Sequence, residues 1–496
     1  MAKANSNKNN ATVLKHKNRE RRMILLPDQG KPTKLAPESL GLAARDKSWN
    51  NYLDSFLRAN GDYLKALDIE LHFSSGSDTV DLSLQANGVV GAVPLRAPDT
   101  HKTIGGIIVH PRYGWDCVGS LFSAIGWSSA PELLSYPLVP GSAHEVPPWI
   151  IGGPVVNHLE QLLKRSLPNF REMEELRTSP RGRIDWRTYS EQMLVRGKPH
   201  ILPCRFSDLE ADRQLQRYIR WTLEKVAAEL VPSLNEDAAA LDLYGRISQV
   251  LNLLADVRPQ IPSHQILDKM QHMMLRKTGD DLGFTAMRWV LDERGLAGNS
   301  DLDGLSWRIV MHDLFEKWIE HLVRQWARNF GGKVTCARKY DSMAPIAWER
   351  MTHQSLSSLI PDIVVETHDE TIIFDAKYKG FLEQSDDSNW RESLEAHRKI
   401  REDHRHDLHQ VLAYSSMYKT ERLVVVLVYP VRAATWQHLA ERGKDLTLGQ
   451  LDGPGRQINL AIAAVPLETG DGAKSAYPVG KSTISSILES WMRLRI

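Results

Sequence analysis

Hydrophobic and polar positions recur with different periods along this chain, and the changes of period mark out its organisation. Residues 49–67 carry apolar side chains at helical spacing. From about 68 to 109 the period shortens to two, with turn pairs at Ser75-Gly76, Asn87-Gly88 and Gly105-Gly106. That pattern predicts short antiparallel strands joined by tight turns. Proline and glycine crowd residues 137–154, which reads as a domain boundary or a long loop. A mostly helical stretch follows from 155 to about 297. It is clearest over 211–230, where Leu215, Ile219, Leu223, Val226 and Leu230 share one stripe. From about 301 onward helix and strand alternate, and no internal repeat is present.

These zones, in 496 residues, predict several domains. Residues 1–34 read as a basic disordered tail, 35–154 as a β-rich domain suited to partner docking, 155–300 as a helical middle region and 301–496 as an α/β domain. The composition is that of an ordinary globular protein, with 42% hydrophobic and 25% charged residues. No run approaches the ~18 apolar residues of a membrane-spanning helix, and the polar N-terminus has no signal-like apolar core, so a cytoplasmic protein without a membrane role is expected. Cys117, Cys204 and Cys336 lie too far apart for a zinc ribbon or a disulfide framework.

Net charge matters only through its distribution. Residues 1–34 hold nine Lys/Arg against Glu20 and Asp28, a balance of +7 that leaves −6 for the rest. Such an arm is either a solvated tail or a phosphate-binding extension.

The informative chemistry lies in the last zone. Residues 306–330 predict a long amphipathic helix, with Ile309, Leu314, Trp318, Leu322 and Trp326 on its apolar side and Gly331-Gly332 ending it. A strand from 333 to about 340 follows, and then two apolar runs around Pro361-Asp362 and Asp375-Ala376-Lys377 read as a β-hairpin. Alternation sends Ile373, Asp375 and Lys377 to one face and Ile372, Phe374 and Ala376 to the other. The hairpin can therefore bring Asp362 beside Asp375 and Lys377. Two buried carboxylates repel unless one takes up a proton or a cation joins them. Hard oxygen ligands with room for water suit Mg²⁺ (or Mn²⁺), and such a centre serves phosphodiester hydrolysis. The plain alternative is a surface hairpin with a salt bridge.

Pro361-Asp362 with Asp375-Ala376-Lys377, the only Asp/Glu-x-Lys triplet in the chain, resembles the PD-(D/E)xK nuclease motif. The resemblance implies an α/β fold in which a restriction-endonuclease-like domain, a mixed sheet flanked by helices, follows the β-rich and helical regions. It implies metal ligands at Asp362, Asp375 and the Ala376 backbone carbonyl. A further carboxylate is implied on the preceding helix, best matched by Glu316, with Asp313 and Glu320 one turn away. His406 to Tyr414 resembles the Gln-x-x-x-Tyr helix of RecB-type members, which adds Gln410 and Tyr414. His404, His406 and His409 read as helix-surface or phosphate-contacting residues.

The Asp375–Lys379 run, this helix and the loop Pro180-Arg181-Gly182-Arg183-Ile184-Asp185 together are similar to the nuclease subunit of McrBC-type restriction systems. That likeness, running from about Ser179 to Pro430, implies DNA, methylated DNA included, as substrate and a separate McrB-like AAA+ GTPase motor as partner. It assigns Arg181, Arg183 and Lys379 to DNA or to that partner, without choosing between them. Two other functions remain on these residues: a stand-alone nuclease of defence or repair, and a non-catalytic DNA-binding scaffold. Gly480-Lys481-Ser482-Thr483 imitates the end of a phosphate-binding loop, but Ser475 stands where its first glycine belongs.

Overall fold

The computed structural model describes residues 12–13, 22–35, 49–75, 80–139, 146–165, 169–210, 213–278, 282–292, 304–337, 344–346, 358–386, 394–453, 456–467 and 481–495. Most of the expected basic tail, residues 1–11 and 14–21, lies outside them, as does Gly480 of the loop-like tetrapeptide. The chain divides into two compact units. One comprises Met1–Ile150, Pro232–Leu243 and Ala297–Ile496, the other Ile151–Val231 and Tyr244–Leu296.

The first unit holds two six-stranded sheets. One runs in the order Thr12–Val13, Arg22–Pro27, Thr103–His110, Val89–Arg96, Trp307–Val310, Glu132–Leu133. Two of its strands correct the expectations from sequence. Arg22–Pro27 lies inside the stretch expected to be disordered, yet it pairs in parallel with Thr103–His110 and buries Ile24 and Leu26 completely. The run Met23-Ile24-Leu25-Leu26 is apolar enough to join a core, and the surrounding basic residues masked it. Residues 306–310, expected as the first turn of a helix, form the strand Trp307–Val310, and the helix spans Met311–Arg328. Ile309 therefore packs in this sheet opposite Val90, and the region 301–496 is not a self-contained domain. Gly91 makes that pairing possible, since a side chain there would run into the Trp307 carbonyl at 2.4 Å.

The second sheet runs Lys333–Cys336, Ile363–Glu366, Glu370–Ala376, Arg422–Val431, Arg456–Pro466, Leu446–Gly453. Its central strand pairs antiparallel with the second and parallel with the fourth, so the sheet is mixed. The hairpin expected from the sequence forms, and its register sets Ile363 opposite Phe374. Helices cover both faces. Phe374 meets Trp326 of the Met311–Arg328 helix and Trp491 of the helix Lys481–Trp491. Ile373, on the opposite face, clusters with Val411 and Tyr414 of the helix Leu394–Ser415. Gly331 ends the Met311–Arg328 segment in the left-handed region, at φ 72°.

The second unit combines the antiparallel strands Asn169–Arg177, Arg183–Ile184 and Leu202–Glu210 with helices Arg213–Leu230, His264–Thr278 and Leu282–Leu291. The stripe of Leu215, Ile219, Leu223, Val226 and Leu230 is buried as its spacing predicts. Among the described residues no helix is long and apolar enough to cross a membrane, and all three cysteines are free and buried.

Replacing Ile24 tests whether this N-terminal segment is core. Ile24→Ala should cost about 2–4 kcal/mol in a denaturant or thermal melt, the range for truncating a fully buried aliphatic side chain. A solvated tail would show a change within about 0.5 kcal/mol.

Candidate functional site

The strand Glu370–Ala376 is buried at every position, because strands flank it on both edges and helices cover both faces. Within it Asp375 is wholly buried. A carboxylate there is costly unless its environment answers it. One neighbour, Lys377, does so in part. Asp362, just before the partner strand, accepts a hydrogen bond through Oδ2 from the Ala376 amide at 2.9 Å. Lys377 places Nζ 2.8 Å from Asp375 Oδ2. Asp375 Oδ1 has no hydrogen-bond partner among the described residues.

Charge follows from this geometry. Burial, reinforced by Asp362, pushes the Asp375 carboxyl up to about 7 against the pull of Lys377. Burial alone would lower Lys377, but Asp375, Asp362 and Asp407 outweigh it and raise its pKa above the usual lysine value. Lys377 is therefore an ammonium, suited to orienting and stabilising charge.

The helix Leu394–Ser415 closes the site. Gln410 Oε1 accepts from Lys377 Nζ at 2.9 Å, and its amide donates to Tyr414 Oη at 2.6 Å. The structure thus joins Asp362, Asp375, Lys377, Gln410 and Tyr414 in one array. It adds Asp407, which sequence reasoning did not single out. Asp407 is buried, pairs with Lys379 at 2.6 Å and accepts from Tyr429 Oη at 2.9 Å. The available signal was spacing: 407, 410 and 414 follow the i, i+3, i+7 stripe of one helix face. His404 departs from the surface role expected of it. It stacks on Phe381 at 4.2 Å and lies 3.2 Å from Tyr429 Oη, because its helix face turns inward, while His406 and His409 are exposed.

Glu316 is buried on the helix Met311–Arg328. Among the described residues no three His, Cys, Asp or Glu side chains form a metal-sized group, so Glu316 is not gathered with Asp362 and Asp375. The start of its helix nevertheless approaches the motif: Phe315 packs on Tyr378 at 6.1 Å, and His312, one turn before Glu316, feels the charges of Lys377 and Asp375. Arg181 and Arg183 belong to the second unit. Arg181 lies over the Phe206 ring at 4.2 Å, and Gly182 between them takes φ 67° where a side chain would strike the Arg205 carbonyl at 2.4 Å.

A divalent cation fits the residues that do converge. Mg²⁺ is held by one or two carboxylates with water and substrate oxygens completing its shell. Asp362, Asp375 and the Ala376 carbonyl would supply that set, and the unanswered Oδ1 is the atom a cation would satisfy. The pH dependence of stability reports on the same charge. With its folded value raised from 3.8 to about 7, protonated Asp375 stabilises the fold fully below about pH 4, and that contribution is lost as pH rises through 7. Thermal melts should show Asp375→Asn falling less than wild type between pH 5 and 8, by on the order of 1–4 kcal/mol. Millimolar Mg²⁺ at pH 8 should raise the wild-type midpoint and leave the variant unmoved.

The family described as "McrBC 5-methylcytosine restriction system component" matches residues 147–430, more than half of the chain. The chain is also similar to a refined half-complex from a tetradecameric assembly of Thermococcus gammatolerans McrB AAA+ hexamers with bound McrC, at 14% identity and TM-score 0.41, covering 95% of this chain and 100% of that one. A cryo-EM structure of the Thermococcus gammatolerans McrBC complex is similar at 12% identity and TM-score 0.25, covering 61% and 88%. No curated protein matches the chain. On the match over 147–430, this chain belongs to the McrBC family of 5-methylcytosine restriction system components.

Proposed function

We propose that the chain is the DNA-cleaving subunit of a modification-dependent restriction system, a Mg²⁺-dependent phosphodiester hydrolase of the PD-(D/E)xK type. One observation carries the reading: a fully buried carboxylate with an unanswered oxygen, Asp375, stands at a hairpin end beside Asp362 and within 2.8 Å of a lysine ammonium. Such an arrangement is unfavourable for folding and useful for holding a cation against a phosphate. When bound, Mg²⁺ would supply Lewis acidity toward the scissile phosphate and its attacking water.

The chain's own residues do the positioning. Asp362 and Asp375 bind, while Lys377, held between Asp375 and Gln410, sets its ammonium where negative charge develops on phosphate oxygens. Tyr414 fixes the Gln410 amide, so that the carbonyl faces Lys377. Lys379, paired with Asp407, places a further positive group along the same helix for the DNA backbone.

Family membership makes 5-methylcytosine-bearing DNA the substrate and a McrB-like AAA+ GTPase the partner in this reading. The second unit favours that partner over phosphate for the Arg181/Arg183 loop. Beside the loop stand exposed Trp186 and Val195, at 64% and 78% exposure, and exposed apolar groups mark protein-facing surface.

Cleavage assays with methylated DNA, the partner and GTP test the site. Asp362→Ala, Asp375→Ala and Lys377→Ala should each lose about a hundredfold or more. Lys377→Arg should fail as well, since a guanidinium has a different donor geometry. Glu316→Ala should lose clearly less than either aspartate variant. Retained cleavage in Lys377→Ala with an intact melt would overturn the assignment.

The partner surface has its own test. Trp186→Ala should weaken partner binding by about tenfold or more, as truncating an interface anchor costs 2 kcal/mol or more, and leave the salt dependence of DNA binding unchanged. A flattened salt slope instead would return this loop to the DNA.

A further inference from the structure

The segment that follows the motif strand is held from the other sheet of the same unit. Tyr378, directly after Lys377, is buried and fastened at both ends. Its hydroxyl donates to Asp28 Oδ2 at 3.0 Å, and its backbone carbonyl accepts from Gln29 Nε2 at 2.5 Å. Asp28 and Gln29 end the strand Arg22–Pro27. Asp28 is 1% exposed and is anchored in turn, its Oδ1 accepting from the Gly88 amide at 2.8 Å and its own amide donating to the His110 carbonyl at 2.9 Å. Gln29 holds a left-handed backbone, φ 50°, which a residue with a side chain adopts only when its surroundings impose it.

Arg112 extends the contact. Its guanidinium lies flush on Gly380, where a side-chain carbon would sit 2.7 Å from Nη1. It also donates to Gln29 Oε1 at 3.3 Å and ion-pairs with Glu383. Glu383 accepts in turn from the Arg432 amide at 2.6 Å, and Tyr113 Oη donates to the Pro430 carbonyl at 3.2 Å. Both strands that frame the site are thus tied at or just beyond their C-terminal ends to residues that follow strands of the N-terminal sheet.

We infer that Asp28, Gln29 and Arg112 are positioning residues for DNA cleavage: through Tyr378 and Gly380 they set where Lys377 and Asp375 stand. The inference rests on the proposed nuclease function. Lys377 is bracketed by Ala376, whose amide is bound to Asp362, and Tyr378, whose carbonyl is bound to Gln29. Lys377's own amide donates to the Val428 carbonyl at 2.8 Å, so releasing the second bracket loosens the backbone on the C-terminal side of the ammonium, and a displacement of about 1 Å at a reacting group costs roughly a hundredfold in rate. DNA contacts elsewhere are untouched.

Two variants of the full chain test this, each keeping the fold. Tyr378→Phe removes only the hydroxyl. Gln29→Asn tolerates the left-handed backbone but is one methylene too short to reach the Tyr378 carbonyl. Each, and the double variant more strongly, should lower kcat for cleavage about ten- to a hundredfold with DNA affinity within twofold. In calorimetry each should weaken Mg²⁺ binding several-fold, and hydrogen exchange of residues 374–383 should speed up in the metal-free chain. Asp362→Ala is the inactive reference. If wild type cleaves, Asp362→Ala does not, and both variants match wild type in kcat, Mg²⁺ affinity and exchange, the positioning role falls and the nuclease reading stands. A wild type that neither binds Mg²⁺ nor cleaves overturns both.

Discussion

A carboxylate buried in the middle of a sheet governs the arrangement around it. Asp375 sits in a strand with no exposed position, next to a second carboxylate, and the fold answers it with a lysine drawn in to 2.8 Å. Lys377 in turn is buried and needs acceptors, which Asp375 and Gln410 supply. Gln410 needs orientation, which Tyr414 supplies. Each polar group in the chain is there because the previous one would be unfavourable alone.

That electrostatic load needs a rigid support. The motif strand obtains it from hydrophobic layers on both faces: Trp326, Phe374 and Trp491 on one side, Ile373, Val411 and Tyr414 on the other. Closely packed interiors resist the small shifts that would let the two aspartates part. The end of the strand, where packing gives way to loop, is supported instead by hydrogen bonds from Asp28 and Gln29.

The second unit presents Trp186, Leu194 and Val195 to solvent around a loop whose Gly182 is sterically required. Asp185, which caps the Arg187 and Thr188 amides at 3.1 Å, keeps that element in shape.

Much of the site was legible in the amino-acid order because its determinants are local. Period-two alternation put Asp375 and Lys377 on one face, hairpin spacing brought Asp362 to them, and a four-residue helical spacing paired Gln410 with Tyr414. Periodicity alone does not place Glu316, because it gives a residue's face on its own helix but not where that helix lands against the sheet. Residues 22–27 were read as tail because nine basic residues dominate the window, and only pairing with Thr103–His110 reveals what Ile24 and Leu26 do. Trp307–Val310 became a strand rather than a helical turn because an open sheet edge at Val89–Arg96 was available to it. Asp28 lies 350 residues from Tyr378 and carries no motif. Contacts over such separations leave no periodic trace, so the sequence determined the chemistry of each segment, and the packing of one sheet against another decided which of those segments meet.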